Sequence, residues 1–286
     1  MSFAKNYVGD TKALAVITQT INKKNAIIPG VTVKPELAGL VQANVAEYYY
    51  DLAPNVVETT AGDDFNTSNA GNKKAVLVLE KALQIDEKIP YVSIDAVSAD
   101  MVYDKLVKGS LALSNTLGAK FISSLTNLAQ AKTYTKGSNI YDAIVEAMGT
   151  FAGLSSTKVG GAANTSYSNR TNGIQADTII VGDVGRTKLL KTEAFQRLIN
   201  ANGEIPGLIG HMLGMNVVYA QDLTDADFIM LYSEGVAFPY SINTLRVVES
   251  ENFNGIRVQG EVGYATEGYG ILPIDSHAVK FTEAAE

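Results

Sequence analysis

The sequence predicts an α+β fold, with helices gathered early and strands late. Three observations carry this reading. An apolar, strand-like run beginning at Ala75 feeds one very long amphipathic pattern over residues 96–129; a second helical pattern covers 140–154; and the chain turns strand-rich from Gly214 onward. A continuous helix over 96–129 would span roughly 50 Å at about 1.5 Å per residue. That is longer than a compact domain of 286 residues needs.

Taken in order, residues 1–34 carry Lys5, Lys12, Lys23, Lys24 and Lys34 against Asp10 alone, a mildly basic segment ahead of an acidic body. It reads either as a solvated tail or as an arm lying across an acidic neighbouring subunit. In the next segment Leu37, Leu40, Val41, Val45, Tyr48, Tyr49 and Leu52 share one face of a 3.6-residue period, and Pro35 and Pro54 bracket it, so a helix is expected. The tyrosine run then reads as a packing stripe, not an aromatic binding platform. Residues 59–74 are small and polar, as in an exposed loop, and too long for an idle connection. Asp63 and Asp64 there read as a solvated turn, because no acidic ligand follows at calcium-loop spacing. The run from Ala75 is expected to turn through Asp86-Glu-Lys88 into 89–95, a hairpin beside the long helix.

Within that helix Val102, Leu106, Leu113, Leu117, Phe121, Leu125 and Leu128 recur mostly at helical steps, while Asp100, Asp104, Lys105, Lys108, Asn115 and Lys120 face elsewhere. Asp104 and Lys108 form a favourable i,i+4 pair. Gly109 and Gly118 each weaken the helix by about 1 kcal/mol relative to alanine and are the points where it could bend. Residues 155–173 are Gly-, Ser-, Thr- and Asn-rich and read as an exposed loop. Residues 176–185 read as a buried strand ending in a glycine turn, and 186–200 as a helix with Leu189, Leu190, Phe195, Leu198 and Ile199 as its apolar residues. Strands are expected at 215–220, 228–232, 245–249, 255–264, 268–274 and 279–281.

Composition narrows the function. A hydrophobic fraction of 46% and a charged fraction of 19% are those of a folded chain. No window approaches about eighteen consecutive apolar residues, and the first residues lack a charged segment followed by an apolar one, so neither membrane spanning nor secretion is expected. With no cysteine, disulfides, thiolate catalysis and sulfur-ligated metals are excluded, which fits a chain made in a reducing cytoplasm. A net charge of -7 argues against general nucleic-acid binding, which draws its affinity from Lys and Arg.

The groups that usually carry chemistry are sparse. Gly182-Asp-Val-Gly-Arg-Thr187, after a strand, invites a nucleotide reading, but it matches neither the dinucleotide fingerprint nor a phosphate loop ending in Gly-Lys-Ser/Thr. His211 and His277, the two histidines, lack both the spacing of a helical zinc pair and a nucleophile elbow. Asp222, Asp225 and Asp227 read as turn and capping residues. No catalytic, cofactor-binding or metal-binding residue is assigned, and the chain is expected not to be an enzyme.

The order of elements resembles the major capsid proteins of tailed bacteriophages with the Hong Kong 97-like fold. Three segments carry the likeness: Leu83-Gln-Ile-Asp-Glu-Lys-Ile-Pro-Tyr-Val-Ser-Ile-Asp-Ala-Val-Ser-Ala-Asp100; Ile205-Pro-Gly-Leu-Ile-Gly-His-Met-Leu-Gly-Met-Asn-Val-Val-Tyr219; and Ala237-Phe-Pro-Tyr240 through 260–280. They resemble, in turn, the hairpin leading into the spine helix, the glycine-rich turn into a strand of the axial domain, and the closing strands. The resemblance implies an N-terminal arm (1–34), a helix leading into the extended loop (35–53), an extended loop (54–95), a peripheral domain with the spine helix (96–174), an axial domain (175–245) and return strands of the peripheral domain (246–286). It further implies that identical subunits form pentamers and hexamers, closing an icosahedral shell around packaged double-stranded DNA with scaffold and portal partners. The implied location is the virion capsid, with host cytoplasm during assembly. Some relatives weld the shell through lysine and asparagine; Lys73 and Lys74 lie in the extended loop, but no asparagine partner or promoting glutamate matches, so no crosslink is assigned. Two alternatives remain at this point: an encapsulin-like bacterial compartment, and an α/β enzyme using the glycine turn at 182–185.

Overall fold

The computed structural model describes residues 45–51, 72–90, 100–137, 139–154, 175–192, 208–250, 255–265, 269–270 and 278–285. In chain order the elements are β1 (Val45–Asp51), β2 (Asn72–Val78), β3 (Lys81–Pro90), α1 (Asp100–Leu128), β4 (Gln130–Tyr134), α2 (Ile140–Leu154), β5 (Thr178–Val181), α3 (Asp183–Leu190), β6 (Leu208–Met212), β7 (Met215–Tyr219), β8 (Phe228–Leu231), β9 (Val236–Ala237), β10 (Tyr240–Ser250), β11 (Gly255–Tyr264), β12 (Tyr269–Gly270) and β13 (Ala278–Glu283).

The central strands β5 and β8, Thr-Ile-Ile-Val and Phe-Ile-Met-Leu, are buried at every position. They sit inside a six-stranded sheet of order β4-β13-β8-β5-β7-β6, and strands covered on both faces need no polar alternation. β13 runs parallel to β4 and β5 parallel to β7, while the remaining pairs are antiparallel. Period-two alternation sorts their side chains into two cores. Ile180, Ile229, Leu231 and Ala278 face α1 through Leu117, Phe121 and Leu125; Ile179, Val181, Phe228, Met230, Val279 and Phe281 face α2 through Ile144, Ala147 and Phe151. The sheet is therefore the middle layer between helices.

The α1 core also takes in a three-stranded antiparallel sheet, β10-β11-β3, through Ile89, Val258, Val262 and Tyr264. Phe121 meets Phe238 edge-on at 5.1 Å between ring centroids. α1 thus joins the two sheets. It has no basic residue in its last turn, and Lys280 of β13 supplies one from outside, donating to the Thr126 carbonyl at 3.1 Å, where the negative end of the helix dipole favours a cation.

The long helix is continuous over 29 residues, about 43 Å, and is helical through both glycines. Gly109 faces β3: a Cβ there would come within 2.7 Å of Ile85 Cδ1, so that terminal methyl would have to turn aside. The helix at 140–154 and the strand at 255–264 fall where the sequence predicts them, while the start of the helix expected over 186–200 is corrected: it begins at Asp183, includes Gly185 and runs to Leu190, and 193–200, with Phe195, Leu198 and Ile199, lie outside the described residues.

Two further expectations are overturned. The helix expected over 35–53 is a strand at 45–51: β1 pairs with β2 in antiparallel register, Tyr48 opposite Ala75 and Tyr50 opposite Lys73. Valine and tyrosine suit a pleated strand, and this partner outweighs the 3.6-residue spacing. The turn expected at Asp86-Glu-Lys88 does not exist either. β3 runs straight through it, paired with β11 from Pro90 opposite Gly255 to Lys81 opposite Tyr264, and charge at 86–88 is accommodated by alternation, with Asp86 and Lys88 exposed between the partly buried Ile85 and Glu87 and the buried Ile89. Arg257 of β11 donates to both Asp86 carboxylate oxygens, and Lys105 of α1 pairs with Glu87. β2 and β3 join different sheets, so they form no hairpin.

The arm (1–34), the loop at 155–173, Asp63, Asp64 and His277 lie outside the described residues.

Candidate functional site

Gly182 and Gly185 stand at the β5–α3 junction, where the sequence offers its nearest approach to a phosphate loop. The space a ligand would use is filled by the chain itself. A Cβ on Gly182 would meet the Leu223 carbonyl oxygen at 2.3 Å, and one on Gly185 the Asp227 carbonyl oxygen at 2.0 Å. Gly182 N–H donates to that Asp227 carbonyl at 3.3 Å, and its own carbonyl accepts from Arg186 N–H at 2.8 Å. These glycines admit the backbone of 220–227, a packing role. Beside them lies an open depression of about 270 Å³, whose lining includes Val184, Leu223 and Ala226 with Asp183, Asp225 and Asp227.

The aspartates of 222–227 part company. Asp222 and Asp225 are exposed, the latter accepting from Thr224 at 3.2 Å, whereas Asp227 is drawn inward to a lysine-centred cluster. Lys188 of α3 donates to Glu283 Oε2 at 2.6 Å, to Tyr134 Oη at 3.0 Å and to Asp227 Oδ2 at 3.2 Å, while the Tyr134 hydroxyl donates to Asp227. Glu283 also accepts from Gly137 N–H at 2.8 Å. The cluster ties α3 to the ends of β4 and β13 and the start of β8.

Its electrostatics are those of a clasp. Partial burial pulls the Lys188 ammonium down, but hydrogen bonds to Glu283, Tyr134 and Asp227 outweigh it and hold the lysine above its ordinary range. Burial, then the Asp227 hydrogen bond, pushes the Tyr134 hydroxyl up to about 12. The Gly137 N–H and then Lys188 hold Glu283 below the ordinary carboxylate range. An ammonium so strongly kept protonated is a poor nucleophile at neutral pH. Sequence reasoning missed this cluster because Tyr134, Lys188, Asp227 and Glu283 come from four distant segments with no shared motif.

His211 lies on β6, exposed, opposite Asn216. Among the described residues no group of three or more His, Asp or Glu is placed to hold a metal ion, and no helix is long and apolar enough to cross a membrane.

The ribbon β1–β2 has a different character. It is a two-stranded sheet of its own, joined to neither larger sheet, and Val78 at its end is 51% exposed. Isolated two-stranded ribbons are marginal in water. Lys73 and Lys74 lie on it, opposite Tyr50 and Tyr49.

No protein-family model and no curated protein matches this chain. Solved structures do. A structure from Mycobacterium phage Che8 matches with a TM-score of 0.58 at 17% identity, covering 87% of this chain and 88% of that one. The capsid of Ralstonia phage GP4 matches with a TM-score of 0.58 at 10% identity, covering 84% of each chain. The mature capsid of bacteriophage PhiM1 matches with a TM-score of 0.51 at 12% identity, covering 85% of this chain and 84% of that one. At such low identity the likeness is one of fold: this chain is folded, over most of its length, as these phage proteins are.

Proposed function

We propose that a chain with the fold of phage capsid structures is itself the major capsid protein of a tailed bacteriophage, a subunit whose chemistry is contact with its own copies. The observation that carries this reading is the likeness of fold over more than four-fifths of both chains. The β1–β2 ribbon, paired with neither larger sheet, supports it, since two strands that gain little stability alone are well suited to lie on a neighbour. So does the site chemistry, in which glycines, aspartates and lysine serve packing and clasping.

In its finer form the proposal is a Hong Kong 97-like subunit. Residues 1–34 are the arm, 35–53 lead through β1 into the extended loop of 54–95, α1 is the spine of a peripheral domain over 96–174, 175–245 are the axial domain, and 246–286 return to the peripheral one. The axial unit then also takes in β4 and β13, which share its sheet. Subunits of this kind close as pentamers and hexamers around double-stranded DNA, with scaffold and portal as further partners, in the virion after assembly in host cytoplasm. The net charge of -7 suits a wall that does not trap entering DNA. Electron microscopy of the concentrated, purified chain tests the proposal: closed particles of uniform diameter are expected, and solitary subunits or an enzyme-loaded compartment would overturn it.

A further inference from the structure

Leu213 is the one non-glycine residue with positive φ among the described residues. With φ of 52° there and 81° at Gly214, the β6–β7 hairpin closes on a two-residue turn of the mirror-image kind, whose first position normally goes to Asn, Asp or Gly. A leucine here is strained, and it is also 39% exposed, so neither backbone preference nor burial in its own core accounts for it.

We propose that Leu213 is a docking anchor that seats in the depression beside Val184 on a second copy of this chain; the inference rests on the shell-subunit reading. The strand register places the two features at opposite ends of one sheet. Thr178 of β5 lies opposite Asn216 and Val181 opposite Tyr219, so the turn projects beyond the first end and the depression opens beyond the second. Val184 is 57% exposed, Leu223 and Ala226 provide an apolar floor, and the cavity of about 270 Å³ admits one branched aliphatic side chain. Charge permits the approach: Asp183, Asp225 and Asp227 line the depression, whereas residues 208–219 contain no carboxylate side chain. Two different patches meeting make a head-to-tail contact, the kind that closes into rings when the rotation allows.

The test exchanges the anchor while relieving the turn. Leu213→Asn creates an Asn-Gly pair suited to this turn, so its melting temperature should equal or exceed that of the natural chain while particle formation falls at least tenfold; Leu213→Met, still apolar, should assemble. The chain contains no cysteine, so the Leu213→Cys, Val184→Cys double variant reports the acceptor. Oxidation should give a ladder of disulfide-linked multimers, absent from either single variant. Particles of Leu213→Asn in natural yield, or particles of the double variant without crosslinks, would overturn the contact and leave the shell-subunit reading standing. A natural chain that never associates would overturn both.

Discussion

Gly185 separates packing from ligand binding at the scale of one residue. An added Cβ would lie 2.0 Å from a backbone oxygen that cannot swing aside, so Gly185→Ala should destabilise the chain by about 1–3 kcal/mol, read as a lower urea midpoint. A phosphate-cradling glycine would instead lose binding and keep stability. Tyr134 gives a pH signature. Its folded pKa, near 12, lies above the ordinary 10, so the folded state holds the proton longer and its stabilisation, complete below pH 10, is lost as pH rises toward 12. Lys188, also raised, acts in the same sense. Urea titrations across that window should show stability falling with pH, and Tyr134→Phe should flatten the fall; an unchanged slope would contradict the clasp. None of this was legible in the sequence, where Gly182 and Gly185 looked like a turn and Asp227 like a cap, because the atoms that fix their roles come from distant segments.

Among elements, legibility followed the strength of local patterning. The long helix α1 could be read because Leu113, Leu117, Phe121 and Leu125 repeat along a face that is buried, and the central strands because Ile179 to Val181 and Phe228 to Leu231 are short apolar runs. β1 could not, because its tyrosines fit either period and only β2 decides between them. The extra turn placed in β3 came from reading Asp86-Glu-Lys88 as a break, whereas Arg257 and Lys105 stand ready to pair with it. The ribbon carries its own prediction. Tyr49→Pro places a proline in the middle of β1, opposite Lys74, where its ring disfavours a paired strand, and because β1–β2 is joined to neither larger sheet the subunit should keep its melting temperature within a few degrees. Assembly should fall sharply, measured as the pelleted fraction; a variant that unfolds would show the ribbon to be part of the core.

Over the whole molecule, the two longer helices and most late strands were legible, but β1, β4 and β6 were not, and neither was the association of the strands. The six-stranded sheet draws β4, β13 and the strands of 178–231 from three separated stretches, a pairing no local pattern announces, and α1 packs against it and the three-stranded sheet together. What this leaves for function is surface: a two-stranded ribbon outside both larger sheets, a strained leucine and an open depression, beside a lysine-centred cluster whose groups satisfy one another. Sedimentation velocity over a rising concentration series tests the central claim most directly. Self-contact chemistry predicts that subunits of 30.5 kDa give way abruptly, with few intermediates, to one large species of defined size. A single species of 30.5 kDa at every concentration would contradict it.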